Sequence, residues 1–137
     1  MSQTGAPSTF IEAMGMVIEE VTAESVVGAL TIDDRHLQPM GLVHGGVYAA
    51  LAETLASYGA TQWAIDHGSF GAVGLSNTTD FIRATRSGTL RAEATPLHQG
   101  RNQHLWQVVT TRSEDGKVSA LTRVRLQIVH DPTTLGG

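Results

Sequence analysis

The chain has no cysteine among its 137 residues. Disulfides, thiolate nucleophiles and thiolate-bound metals are therefore excluded. A histidine-based metal site is not expected either. The six histidines contain no H-x-H or H-x-x-x-H pair, and His36, His67 and His130 lack partners at ligand spacing. Charge is scarce as well: charged residues make up 16% of the chain and the formal net charge is -4, which argues against a nucleic-acid partner. The first residues, MSQTGAPSTF, have neither a basic start nor an apolar block, so no secretory leader is expected. A cytoplasmic location fits the missing cysteines. The longest apolar stretch includes Glu53 and several Thr and Ser residues, so no membrane span is expected. There is no G-x-S-x-G for a serine hydrolase, and no G-x-G-x-x-G or Walker run for a nucleotide cofactor.

What is present is a globular balance, with 41% hydrophobic residues in a length that suits one domain. Residues 1–13 read as a tail and a short helix over 9–14, ended by Gly15. Residues 14–130 read as a single domain and residues 131–137 as a loose tail. Period-two alternation predicts strands over 16–21, 26–33, 72–84, 89–98, 103–112 and 118–129. A long helix is predicted from Gly46 to His67, with Gly68 as its terminator. No helix separates the last four strands, so the sheet should be antiparallel. The expected fold is α+β, with six antiparallel strands wrapped around one long central helix. The many alanines of that helix would let a curved sheet approach closely.

The organising stretch is Gln38 to Gly68, QPMGLVHGGVYAALAETLASYGATQWAIDHG. Glu53 is its sole charged side chain between His44 and Asp66. A helix apolar all round is normally buried, and a lone carboxylate there is costly unless something pairs with it or uses it. His44, Gly45 and Gly46 stand at the helix start, where free N–H groups favour developing negative charge. Glu53 follows His44 by nine residues, about half a turn out of phase and about 13 Å along the axis. The two ends therefore do not meet in one chain. Two antiparallel helices in a two-fold dimer would bring them together. Ser57, one turn past Glu53, shares its face. A His-Gly-Gly, a single Glu or a single Ser is common in helices without function; the joint spacing is what points to a site.

The pattern Q-x-x-G-x-x-H-G-G-x(6)-E-x(3)-S, met by Gln38, Gly41, His44, Gly45, Gly46, Glu53 and Ser57, resembles the hotdog-fold acyl-CoA thioesterases. The likeness is to the branch that includes phenylacetate-pathway and 4-hydroxybenzoyl-CoA-type enzymes. It continues through Asn77, Phe81, Arg83, Gly88, the run PLHQGR (96–101) and Trp106. The resemblance implies that Glu53 is the catalytic carboxylate, as general base or as nucleophile at the thioester carbonyl. It implies that the Gly45 N–H of the neighbouring chain polarises that carbonyl, and that Gln38, His44 and Ser57 assist. Gly46, Asn77, Phe81, Arg83, His98 and Arg101 would bind substrate. No metal or cofactor is implied, because coenzyme A is part of the substrate. The implied assembly is a homodimer at least, and a tetramer of two such dimers.

Independently, residues 81–104 hold Arg83, Arg86, Arg91 and Arg101 against one acid, Glu93, with His98 and His104 nearby. Such a cluster would suit the phosphates of coenzyme A. Tyr48, Trp63, Phe81 and Trp106 are candidates for shaping the acyl end, and equally for the core. Two rivals remain. A hotdog hydratase or dehydratase would carry an Asp-x-Asn-Pro-x-His run, which is absent. A non-hydrolytic acyl-CoA or carrier-protein binding module would not need Glu53.

Overall fold

The structure is a computed structural model describing residues 9–136. Residues 1–8 of the expected N-terminal tail lie outside the described residues, as does Gly137. The elements run α1 (Phe10–Met14), β1 (Met16–Val21), β2 (Val26–Thr31), α2 (Gly45–Asp66), β3 (Gly71–Phe81), β4 (Thr89–Gln99), β5 (Gln103–Arg112) and β6 (Val118–Val129). All six strands form one antiparallel sheet in the order β1-β2-β4-β5-β6-β3. This is the expected α+β hotdog architecture, a sheet curved around one long helix. No helix among the described residues is long and apolar enough to cross a membrane.

β3 begins and β4 ends one residue beyond the expected ranges, and two strands stop short for local reasons. β2 stops at Thr31 because Asp33 turns out of the sheet and caps a 3-10 turn, its side chain accepting from the Arg35 N–H. β3 stops at Phe81 because the N–H groups of Ile82 and Arg83 both converge on the Ser119 carbonyl. α2 begins one residue early, at Gly45, with His44 as its cap. Past β6, residues 132–134 form a single 3-10 turn.

The inner face of the sheet follows the alternation read from sequence. Val26, Leu30, Leu90, Ala92, Ala94, Val124 and Leu126 are buried against Leu51, Ala52, Leu55, Ala56 and Ala60 of α2. Small residues set the distance between helix and sheet. Trp106 is fully buried, and a Cβ built on Gly59 would sit 2.3 Å from its ring. The indole therefore occupies the space a side chain at position 59 would need. Trp106 is thus core rather than a wall of the acyl site.

Two buried histidines stabilise the ends of the fold. His36 accepts from the Asp33 N–H through Nδ1 at 2.9 Å and donates from Nε2 to the Met14 carbonyl at 2.8 Å, which ties α1 to the turn after β2. His104 accepts from the Trp106 indole N–H at 3.2 Å and meets Trp63 edge-on. Burial pushes the His104 pKa down to about 4, with the nearby His98 adding to the effect. At the same end, Ser69 bonds His130, and His130 bonds Asn102, so the helix exit, the end of β6 and the β4–β5 turn are joined.

Gly59→Ala should destabilise the protein by about 1–3 kcal/mol through overpacking against Trp106, although Ala is the better helix former. Denaturant titration checks this, and an unchanged midpoint would refute the packing account. His104 is neutral when folded but protonates near pH 6.5 when unfolded. Its stabilising contribution is therefore complete above about pH 6.5 and is lost as pH falls toward 4. The difference in denaturation midpoint between pH 7 and pH 4.5 should be smaller in His104→Gln than in the parent.

Candidate active site

α2 is not enclosed on every side. Leu51, Leu55 and Ala56 are buried, but Glu53 and Tyr58 are exposed on a face the sheet leaves uncovered. The helix was expected to be buried all round. Its composition hides the open face, because Ala, Thr and Ser occupy both sides. Glu53 is thus not a charge sealed in a core within one chain; it stands on the wall of a cleft.

That cleft is an apolar cavity of about 650 Å³ between α1, α2 and β3. Ala49, Ala50, Glu53, Thr54, Ser57, Tyr58 and Thr61 line it from α2, Phe10 and Ile11 from α1, and Asn77 from β3. Glu53 is the one charged side chain among them. The Asn77 side-chain amide donates to the Ala49 carbonyl at 2.9 Å and to Glu53 Oε1 at 3.3 Å. Asn77 is itself held, since Thr79 donates to its Oδ1 at 2.8 Å. β3 comes close enough that a Cβ on Gly74 would lie 3.1 Å from Glu53 Oε2. A bulge between Gly74 and Ser76 bends the strand at this point.

A second cavity, of about 290 Å³, lies at the start of α2 and includes Gln38, Gly45, Tyr48, Phe81 and Arg83. His44 Nδ1 accepts the Gly46 N–H at 2.8 Å, so that donor is already engaged. The Gly45 N–H has no acceptor among the described residues. A Cβ on Gly45 would sit 2.7 Å from the Phe81 ring, so only glycine lets the ring lie against this donor. Gln38 Oε1 accepts the Met40 N–H, which leaves its NH2 group to point elsewhere. Arg83 donates to the Val118 carbonyl at 2.8 Å.

The residues expected to form one site therefore fall into separate places within a chain. Glu53, Ser57 and Asn77 share the larger cavity; Gln38, Gly45, Phe81 and Arg83 share the smaller one. The two cavities have no lining residue in common. The basic cluster read from residues 81–104 is also dispersed. Arg91 pairs with Glu19 of β1 at 3.0 Å, and Arg86 donates to the Met40 carbonyl. Arg101 lies at the far end of α2, in a cavity of about 440 Å³ with Trp63, His67, Ser69 and His130. His98 is exposed on the same β4–β5 hairpin. The cause is sheet register: neighbours in sequence are sent to opposite faces and ends. Among the described residues no group of His, Asp and Glu is placed to hold a metal ion. Phe10, Ile11, Tyr58 and Thr61 were not anticipated around Glu53. The Thr54–Tyr58–Thr61 spacing, three and four residues apart like Glu53 and Ser57, was the available signal.

A model of the thioesterase superfamily matches residues 40–119, which include Gly45, Glu53 and Asn77. The chain belongs to the thioesterase superfamily. The Mycobacterium tuberculosis protein Rv1847 is 41% identical over 119 residues, 86% of this chain and 84% of that protein. Its solved structure superposes with a TM-score of 0.85 over 89% of this chain and 97% of that one. The proofreading thioesterase EntH of Klebsiella pneumoniae is 34% identical over 74% of this chain and 73% of its own. Solved variants of the Staphylococcus aureus thioesterase SAV0944, at 27% and 28% identity and TM-scores of 0.81 and 0.82, cover 87% and 88% of this chain and 97% and 98% of theirs. One variant replaces a Gln and the other a Glu that follows it at the spacing of Gln38 and Glu53 in this thioesterase-superfamily chain.

Gly74→Ala tests the packing around the carboxylate. The added methyl should displace Glu53 from Asn77 while leaving the thermal midpoint nearly unchanged, because Glu53 is free to move outward. A crystal structure of the variant with Glu53 still on Asn77 would contradict this.

Proposed function

We propose that the protein hydrolyses an acyl-CoA thioester to a free acid and coenzyme A. The observation that carries this reading is Glu53: one carboxylate, held by Asn77, in an otherwise uncharged apolar cavity. In the simplest route Glu53 takes a proton from water, and the water oxygen attacks the thioester carbonyl carbon. The carbonyl oxygen becomes an oxyanion, stabilised by an N–H donor. The C–S bond then breaks, and the proton held by Glu53 is available to the departing thiolate. In the alternative route Glu53 attacks directly and water resolves an anhydride. Labelled-water oxygen found in Glu53 after a single turnover, or an anhydride trapped on Glu53 by hydroxylamine, marks the covalent route; neither is expected of the general-base route.

The oxyanion donor on this reading is the Gly45 N–H of a second copy. β3 is an edge strand of 11 residues, with Val73 and Leu75 exposed along it. A long apolar edge favours pairing with another strand. Glu53 lies at the level of Asn77 on β3, and Gly45 at the level of Phe81. A two-fold axis crossing β3 between those levels would put each Glu53 opposite the partner's helix start. Gln38 and His44 would flank the thioester there, and Ser57 would lie along the acyl group. Arg83, Arg86 and Arg101, with the imidazole of His98 near Arg101, are left for the coenzyme A phosphates, since Arg91 is paired with Glu19. A dimer of such dimers and a cytoplasmic location complete the reading.

Glu53→Gln should lower kcat by a factor of about 100 or more, followed as thiol release from a panel of acyl-CoAs. Gly45 is the first residue of α2, where Pro is tolerated, so Gly45→Pro removes the N–H and keeps the helix. Gly45→Ala is its control, because it adds a Cβ near Phe81 but retains the donor. Mixed dimers of Glu53→Ala and Gly45→Pro protomers should recover part of the activity. No recovery in verified mixed dimers would defeat the shared site. Tight acyl-CoA binding by the parent with no thiol release would instead favour a binding module.

A further inference from the structure

The cavity beside Glu53 has a wall that the catalytic reading does not use. α1 is only five residues long, yet it is fixed at both ends. Thr9 caps it by accepting the Glu12 N–H, and its last carbonyls are held by Arg35 and by the buried His36. Its position over α2 is therefore set by the core, while its first turn is turned toward the Glu53 cleft. Ile11 is half-buried against the core cluster, and Phe10 is 60% exposed although it lines the cavity. A phenyl ring left in water at the mouth of an apolar cleft gains from any apolar group placed beneath it.

The α2 side of the cleft runs from Ala49 to Thr61, a length of about 18 Å. Glu53 sits in the first half of that run, so part of the cleft extends beyond the reacting carbon. None of the residues of this chain that line it is a cation, and Glu53 itself repels a second carboxylate.

We propose that Phe10 and Ile11 of α1 form the specificity wall of the acyl site, and that the substrate's acyl group is uncharged and apolar, with its accepted length set by Phe10. This rests on the thioester-hydrolase reading for its turnover consequence, but the wall itself can be tested by binding alone. Phe10→Ala shortens the wall and opens the cleft; Phe10→Trp extends it. Neither touches the reacting atoms.

The experiment measures kcat/KM for acetyl-, hexanoyl-, dodecanoyl- and succinyl-CoA in the parent and both variants. Phe10→Ala should raise the dodecanoyl-to-hexanoyl ratio by about tenfold, Phe10→Trp should lower it, and succinyl-CoA should remain the poorest of the longer substrates throughout. In parallel, calorimetry on Glu53→Ala with non-hydrolysable thioether analogues of the same chain lengths reads the same ratio without turnover. Equal factors for every chain length in both assays overturn the wall, as does loss of the oligomer in both Phe10 variants by light scattering. A length-dependent shift in binding with no turnover in the parent sinks the hydrolase reading and leaves the wall standing. Turnover without any length shift does the reverse.

Discussion

A sheet of six strands wrapped on a 22-residue helix encloses it only in part, because the first and last strands of the order, β1 and β3, do not meet. Most of the site's features follow from that incomplete wrap. The enclosed face must be made of small and aliphatic residues so that the sheet can close in, and it is: Ala52, Ala56, Gly59 and Ala60 alternate with Leu51 and Leu55, and Trp106 fills the room that Gly59 leaves. The open face cannot be sealed by this chain's own sheet, so it can carry a carboxylate without the cost of burying an unpaired charge. The tight approach on the covered side also brings β3 against the margin of the open one. There Gly74 makes room for Glu53 and Asn77 orients it.

Much of this was legible in the residues. Strand alternation gave the inner face of β2, β4 and β6 correctly, since a single register error would have moved every buried side chain outward. The absence of a helix between the last four strands pointed to antiparallel pairing, but not to the order of the strands in the sheet. The helix bounds were off by one residue because His44, not Gly45, has the side-chain acceptor for a cap. What could not be read was anything that depends on contacts far apart in sequence. Arg91 looked available for phosphate until the sheet placed Glu19 beside it, two strands away. The open face of α2 was hidden for a different reason. Ala, Thr and Ser are tolerated on both buried and exposed helix faces, so the periodicity that normally marks an amphipathic helix is missing. The role of α1 was invisible too, since five residues carry too little pattern to say what they pack against.

The separation of Gly45 from Glu53 is the most constraining feature of the site. Both belong to one continuous helix, about 12 Å apart along its axis. No side-chain rotation closes that gap, and bending the helix would break the packing of Leu51 and Ala52 between them. β3 preserves the gap from the other side, with Asn77 against Glu53 and Phe81 against Gly45. Within the described residues, the oriented carboxylate of Glu53 and the unpaired N–H of Gly45 therefore stand apart, each in its own cavity. Either the two act in separate sites, or a second copy related by a two-fold axis supplies the missing half of each. The second alternative uses the same rigidity that makes the first chain incomplete. In the proposed dimer, each half is already fixed by its own helix and strand. The exposed apolar edge of β3 gives two copies a reason to pair there.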